Sequence, residues 1–236
     1  DPWYPRLYIQ AGGHNTLLTD SDVESQIAGD FSHDVPAWQN YARITEFLDW
    51  KEGAFLSADL APVYAGKWKS LRRDILYLKP RTILLVDRGE GGSEATGLSL
   101  RIHPPRRDDL QVEGKIAKIT RDGKALYIRT LAPEEYETRI LKRPMSLNEF
   151  KAENPITMKA RGFLELSTRP IDGKCTFINI LGTEPEMTVG LKATKHTGFL
   201  EISADQGQYA ISDHPGSLYK CGEFETDASV FGRISE

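Results

Sequence analysis

One histidine has a setting that could do chemistry. His14 follows the Gly12-Gly13 pair and opens the run Asn15-Thr16-Leu17-Leu18-Thr19-Asp20, in which an apolar strand begins directly after the imidazole. A neutral histidine in that position can be a metal ligand, a proton carrier or a polar residue hydrogen-bonded into the fold. A protein metal site draws on at least three side chains, and partners for His14 are scarce in the rest of the chain. His103 closes a strand before Pro104-Pro105, while His33, His196 and His214 stand in turn-rich stretches and read as surface or capping residues. Asn15 reads as a turn-holding residue. Trp3, Tyr4 and Tyr8 lie close to His14 in sequence, and either stacking on a sugar ring or packing against a neighbouring domain accounts for them.

The densest basic run is Lys67, Lys69, Arg72 and Arg73. Guanidinium forks suit carboxylates and sulfates, which raises an acidic polymer as a partner. Strand alternation, however, sends Arg72 and Arg73 to opposite faces, so the run cannot act as one patch. A solvated face, or structural pairing with Asp74 or Asp87, is the expected use. The Pro104–Asp109 segment is a balanced charged loop, and nothing fixes the Glu134-Glu135 pair at the separation a glycosidase needs. Cys175 and Cys221 are expected as reduced, buried thiols; their spacing matches neither a zinc knuckle nor a redox pair.

The elements around these residues are strands. Period-two alternation recurs in Ala42–Trp50, Leu71–Leu78, Thr96–His103, Ile116–Thr120, Lys124–Thr130, Tyr136–Leu141, Arg161–Ser167, Cys175–Leu181, Met187–Leu191, Gly198–Ile202 and Gln208–Ile211. Turn signals separate them at Lys79-Pro80-Arg81, Arg121-Asp-Gly-Lys124, Ile171-Asp-Gly-Lys174 and Lys195-His-Thr-Gly198, and the Asp-Gly pairs suit tight hairpins. Ser146–Glu153 predicts one short helix, with Ser146 as N-cap and Glu149 completing a capping box. Ala58–Trp68 reads as a loop with a short helical turn. The expected fold is all-β: an antiparallel two-sheet β-sandwich with one short helix, residues 1–236 forming a single domain.

With 236 residues the chain can bury a full core, and a net charge of −4 argues against nucleic acid as a partner. No apolar run approaches the roughly 18 residues of a membrane span, and no signal peptide opens the chain. A start at Asp1 rather than Met implies a front removed by maturation, proteolysis or design.

The His14–Asp20 stretch resembles the strand that opens the β-sandwich domain of heparinase II/III-like polysaccharide lyases, where an aromatic-rich Asp-Pro segment runs into His-Asn-Thr. Ala58-Asp59 followed by Tyr64, the arginine-bearing strand Arg72–Pro80, Ile83–Asp87 and Leu98-Ser-Leu-Arg-Ile-His103 are similar to later family features in the same order. The resemblance covers roughly residues 1–105. It implies the C-terminal part of a periplasmic or secreted lyase that cleaves a uronic-acid polysaccharide, a glycosaminoglycan or alginate, by β-elimination. An α/α toroid domain would precede this chain as its partner. Family members commonly hold zinc with a His-x-His-x-Asp histidine, a later Asp and the His of His-Asn-Thr; only the last maps here, onto His14. The chain has no His-x-His, so the resemblance implies a site shared with upstream residues and no catalysis by this chain alone. The alternative reading is a non-catalytic carbohydrate-binding or scaffold β-sandwich, since sandwiches host many functions.

Overall fold

The computed structural model describes residues 15–21, 41–64, 66–91, 97–104, 109–142, 162–185, 190–204, 207–213, 217–221 and 224–234. Within them every sheet is antiparallel. A first sheet has the order β1 (Leu17–Thr19), β6 (Leu98–Ile102), β11 (Gly162–Thr168), β10 (Glu137–Lys142). A broad central sheet runs β2 (Arg43–Trp50), β3 (Gly53–Asp59), β4 (Trp68–Leu78), β5 (Thr82–Gly91), β12 (Lys174–Gly182), β9 (Lys124–Ala132), β8 (Ile116–Arg121), β7 (Leu110–Glu113). A third sheet contains β13 (Lys192–His196), β14 (Phe199–Ala204), β15 (Gly207–Ser212) and β18 (Val230–Ile234), and β16 (Tyr219–Cys221) pairs with β17 (Phe224–Thr226) as a small hairpin.

The expected antiparallel sandwich is present, and it extends beyond two sheets because the central sheet is apolar on both faces. Leu71, Ile128 and Phe177 join Leu17, Leu100 and Leu164 of the first sheet in one buried cluster. Phe55, Leu84 and Ile180 join Leu200, Ile202 and Ile211 of the third sheet in a second. Alternation along β4, β9 and β12 supplies both cores at once, and each fully buried leucine stabilises by about 1.5–3 kcal/mol. Both Asp-Gly pairs form the expected tight turns, with Asp122, Gly123, Asp172 and Gly173 all at positive φ (49°, 73°, 51° and 74°). The Ala58–Trp68 loop contains the expected helical turn, a 3-10 turn at Ala61–Tyr64.

One strand falls elsewhere. Of the Met187–Leu191 stretch, Gly190 and Leu191 are described and are not in a strand; pairing begins at Lys192. Leu191 is buried in the second core, so its apolar character serves packing rather than a ladder. The Ser146–Glu153 helix lies outside the described residues.

Charge is buried between the layers in pairs. Arg73, on the face toward the first sheet, meets fully buried Asp87 through Nε–Oδ1 at 2.6 Å and Nη2–Oδ2 at 3.0 Å. Burial disfavours the Arg73 charge, but attraction to Asp87 prevails and holds its pKa above the usual guanidinium value. On the opposite face Arg72 Nε lies 2.7 Å from Asp74 Oδ1, and Arg88 also pairs with Asp74. Arg88 Nε reaches Asp213 Oδ1 at 3.4 Å, and Lys195 pairs with Asp213. Burial dominates this network, raising the pKa of Asp74 despite Arg88 and Arg72, and lowering that of Arg88 despite Asp74 and Asp213.

Replacing Asp87 by Ala strands the Arg73 charge, and urea unfolding is expected to register a loss of about 3–5 kcal/mol. The double variant Arg73→Met/Asp87→Leu should recover most of it. A single-variant loss under about 1 kcal/mol would show that the pair is not an effectively buried one.

Candidate functional site

The strand that follows His14 is held from two directions. Its ladder to β6 pairs Leu17 with Leu100 and Thr19 with Leu98, and Arg101 N donates to Thr16 O at 2.9 Å. From the central sheet, the buried Tyr64 hydroxyl donates to Leu17 O at 2.8 Å, and Trp68 Nε1 donates to Thr19 Oγ1 at 2.8 Å. Trp68 lies directly over Gly89, where an added Cβ would stand only 2.6 Å from the indole. Asp59 supports the same corner, accepting the Ala61 amide at 3.1 Å at the start of the 3-10 turn. Ahead of β1, Asn15 Oδ1 accepts the His103 amide at 2.6 Å, and the His103 ring packs on Phe163 at 4.9 Å. Asn15 therefore holds the backbone, as its sequence suggested. His14 lies outside the described residues, as do Trp3, Tyr4, Tyr8, His33 and His214.

Past β1 the chain turns through Asp20 and Ser21, both at positive φ (53° and 60°), a conformation that costs non-glycine residues free energy. The turn brings Ser21 Oγ to Glu165 Oε1 at 2.9 Å and to Ser99 Oγ at 3.0 Å. Arg101 Nε donates to Glu165 Oε2 at 2.6 Å, its Nη2 donates to Ser21 O at 3.3 Å, and its guanidinium lies 4.6 Å over the Phe163 ring. Glu165 is fully buried and Arg101 nearly so. These groups lie on the face of the first sheet turned away from the core. Beside them opens a cleft of about 950 Å³ whose walls include Asp20, Ser21, Ser99, Glu137, Arg139 and Ser167. Its carboxylates (Asp20, Glu134, Glu135, Glu137) outnumber its guanidiniums (Arg139, Arg169), so its own field does not favour a polyanion.

Among the described residues no three His, Cys, Asp or Glu side chains come close enough to hold a metal ion. The basic run divides as its alternation required: Arg72 and Arg73 pair with Asp74 and Asp87 on opposite faces, and Lys69 reaches Glu90 at 3.4 Å on the surface. His196 is bound to Glu201 at 2.8 Å and stacked on Phe199. Cys175 is a free, buried thiol whose pKa burial pushes up to about 12, which removes it from nucleophilic roles. Cys221's side chain lies outside the described set. The Arg101–Glu165 pair was not legible in the sequence. Its only local signal is a charged residue at the polar position of each of two alternating strands, and their register, Glu165 opposite Arg101, is non-local.

The chain resembles solved enzymes. Over 99% of its length it is similar to the heparan sulfate lyase HepC from Pedobacter heparinus, with a TM-score of 0.60 and 15% identity. This chain shares its fold with about a third of a heparan sulfate lyase. It covers 31% of that lyase chain, and a HepC mutant gives the same TM-score of 0.60 at 17% identity over 89% of this chain. A heparinase III matches over 96% of this chain and 30% of its own, with a TM-score of 0.57 and 11% identity. No protein-family model matches the sequence, and no curated protein matches it.

If Tyr64 fixes the strand after His14, Tyr64→Phe removes one buried hydrogen bond and should destabilise by about 1–3 kcal/mol. Hydrogen exchange at the Leu17–Thr19 amides should accelerate beyond the global change. Acceleration no greater than that of β14 would remove Tyr64 from this anchoring role.

Proposed function

We propose that this chain is the β-sheet portion of a lyase that cleaves a uronic-acid polysaccharide by β-elimination, acting in the periplasm or outside the cell. The observation that carries the reading is the fold shared with heparan sulfate lyases across 89–99% of the chain. The order of His14-Asn15-Thr16, Asp59, Tyr64 and Arg72–Pro80 along the sequence supports it.

The reaction sets clear requirements. A base takes the proton on C5, the electron pair forms the C4–C5 double bond, and the C4–O bond breaks with protonation of the leaving oxygen. The uronate carboxylate must be neutralised for C5–H to become acidic, and the base needs a pKa near working pH. The buried arginines Arg72, Arg73, Arg88 and Arg101 are each bound to a carboxylate of the fold. Taking Arg73 or Arg101 for the substrate would leave a buried anion unpaired, at a cost of several kcal/mol, and taking Arg72 or Arg88 would leave buried Asp74 with one cation instead of two. The neutralising and proton-transferring groups are therefore assigned to a partner segment, which must also supply the positive field that holds the acidic polysaccharide, since the cleft beside β1 and β6 does not.

Zinc belongs to the same proposal. His14 would supply one ligand; the described residues alone do not make a zinc site, and the remaining ligands are assigned to the partner segment, as the family resemblance implies. Asn15 and β1 would act as the rigid mount of that ligand, and no reaction step is assigned to the metal.

The 236-residue chain alone should release no unsaturated uronate from heparan sulfate or alginate, read as product absorbance. The longest natural form of the protein should release it from one of them. In that form His14→Ala should lower zinc content, measured by elemental mass spectrometry, and reduce kcat/KM by more than the about 10–100-fold typical of outer-shell partners. Turnover by the short chain would overturn the assignment of catalytic groups to a partner. Polysaccharide binding without cleavage by the natural form would favour a binding module instead.

A further inference from the structure

Four of the most exposed large apolar side chains fall close together: Tyr41, Ile44, Phe47 and Leu48, at 58%, 67%, 64% and 41% exposure. Three of them are in β2, the outermost strand of the central sheet, which among the described residues pairs only with β3. Ile44 lies opposite Ala58 and Glu46 opposite Ser57, so Thr45 is an extra residue in the ladder. The bulge resets the alternation. Ile44 and Phe47 fall on the face of the first sheet, with Leu56 and Ala58; Arg43, Glu46 and Leu48 fall on the face of Phe55.

Exposed edges of this length are normally blunted by lysine, proline or inward-pointing charge. β2 has no lysine and no proline; its Thr45 bulge and the charges of Arg43, Glu46 and Asp49 blunt the edge only in part, since Ile44 and Phe47 stay apolar and exposed on one face and Leu48 on the other. Among the described residues nothing pairs with its outer edge, which can take an added antiparallel strand. Its side chains are complementary to a second copy of themselves. With Thr45 looped out in each copy and Glu46 on a two-fold axis, Ile44 faces Phe47 of the second copy on one side of the ribbon. On the other side Arg43 faces Leu48 and lies diagonal to Glu46 of the second copy, within reach of a long side chain. The two glutamates face each other at the axis, a like-charge contact that the two flanking arginines offset.

We propose that two copies of this chain associate through β2, edge to edge and antiparallel, in this register. Such an isologous contact joins two central sheets into one continuous sheet. It does not depend on the lyase reading. A single added strand is smaller than a standard interface, so the dimer is reversible and concentration-dependent.

Sedimentation equilibrium of the chain from about 1 µM to about 1 mM, the range in which weak contacts dissociate, tests this. The expected result is a mass rising from the 26.5 kDa of one chain toward twice that value. Phe47→Lys should hold the single-chain mass at all concentrations with unchanged circular dichroism and melting temperature. Glu46→Cys, placed on the axis in a Cys221→Ser background, should cross-link the dimer on mild oxidation, whereas Lys51→Cys should not. Three results would each overturn the proposal: a single-chain mass throughout, a dimer that survives Phe47→Lys, or a dimer that Glu46→Cys fails to cross-link. In the longest natural form, a monomer with protected β2 amides would assign the strand to another segment and overturn it equally.

Discussion

Arg72 and Arg73 are neighbours in sequence, yet the pleat of β4 sends them into two different interiors. Arg73 closes on Asp87 beneath the first sheet, and Arg72 meets Asp74 and Arg88 beneath the third. Much of the architecture follows from that separation. A central sheet with both faces covered needs apolar side chains at nearly every position, and any charge it retains must be paired where it lies. Asp87 satisfies Arg73 with two parallel hydrogen bonds, the geometry in which a guanidinium best offsets its desolvation. The opposite network extends across the layers instead, since Asp213, just past β15, takes both Arg88 and Lys195. It thereby fixes the third sheet to the second as the leucine and isoleucine contacts alone, which lack direction, would not.

That constraint decides what the chain can contribute to chemistry. Of the basic residues that suggest an acidic ligand in the sequence, Arg72 and Arg73 are committed to the interior. The groups left near the β1–β6 end are positioning groups: Asn15 on the His103 amide, Tyr64 and Trp68 on β1, and Ser21 with Arg101 on Glu165. Each holds backbone or buries charge. They hold β1, the strand that follows His14 in the sequence, and in the proposed function this rigidity would serve ligand or substrate placement. Under the proposed function, a region that shares its fold with about a third of a heparan sulfate lyase would supply a wall and one ligand rather than a complete centre.

Much of this was legible in the residues because it is local. Period-two alternation marked most strands, positive φ at the Asp-Gly pairs followed from turn chemistry, and the opposite facing of Arg72 and Arg73 followed from the pleat. What escaped is what depends on register. Nothing local in Leu98–His103 says that Arg101 will stand opposite Glu165, 64 residues away. Nor does the apolar alternation of Met187–Leu191 reveal that Leu191 packs without a ladder while the polar Lys192–His196 forms one. The third layer was hidden for the same reason, since an apolar residue on a strand does not say which sheet it will meet.

If this chain is one region of a longer uronan lyase, the size of the natural protein tests that most directly. Intact mass and N-terminal sequencing of the protein as its source produces it should give a polypeptide well above 26.5 kDa, with a His-x-His-x-Asp stretch ahead of Asp1. A mature protein that begins at Asp1, directly after a cleaved signal peptide, would contradict it.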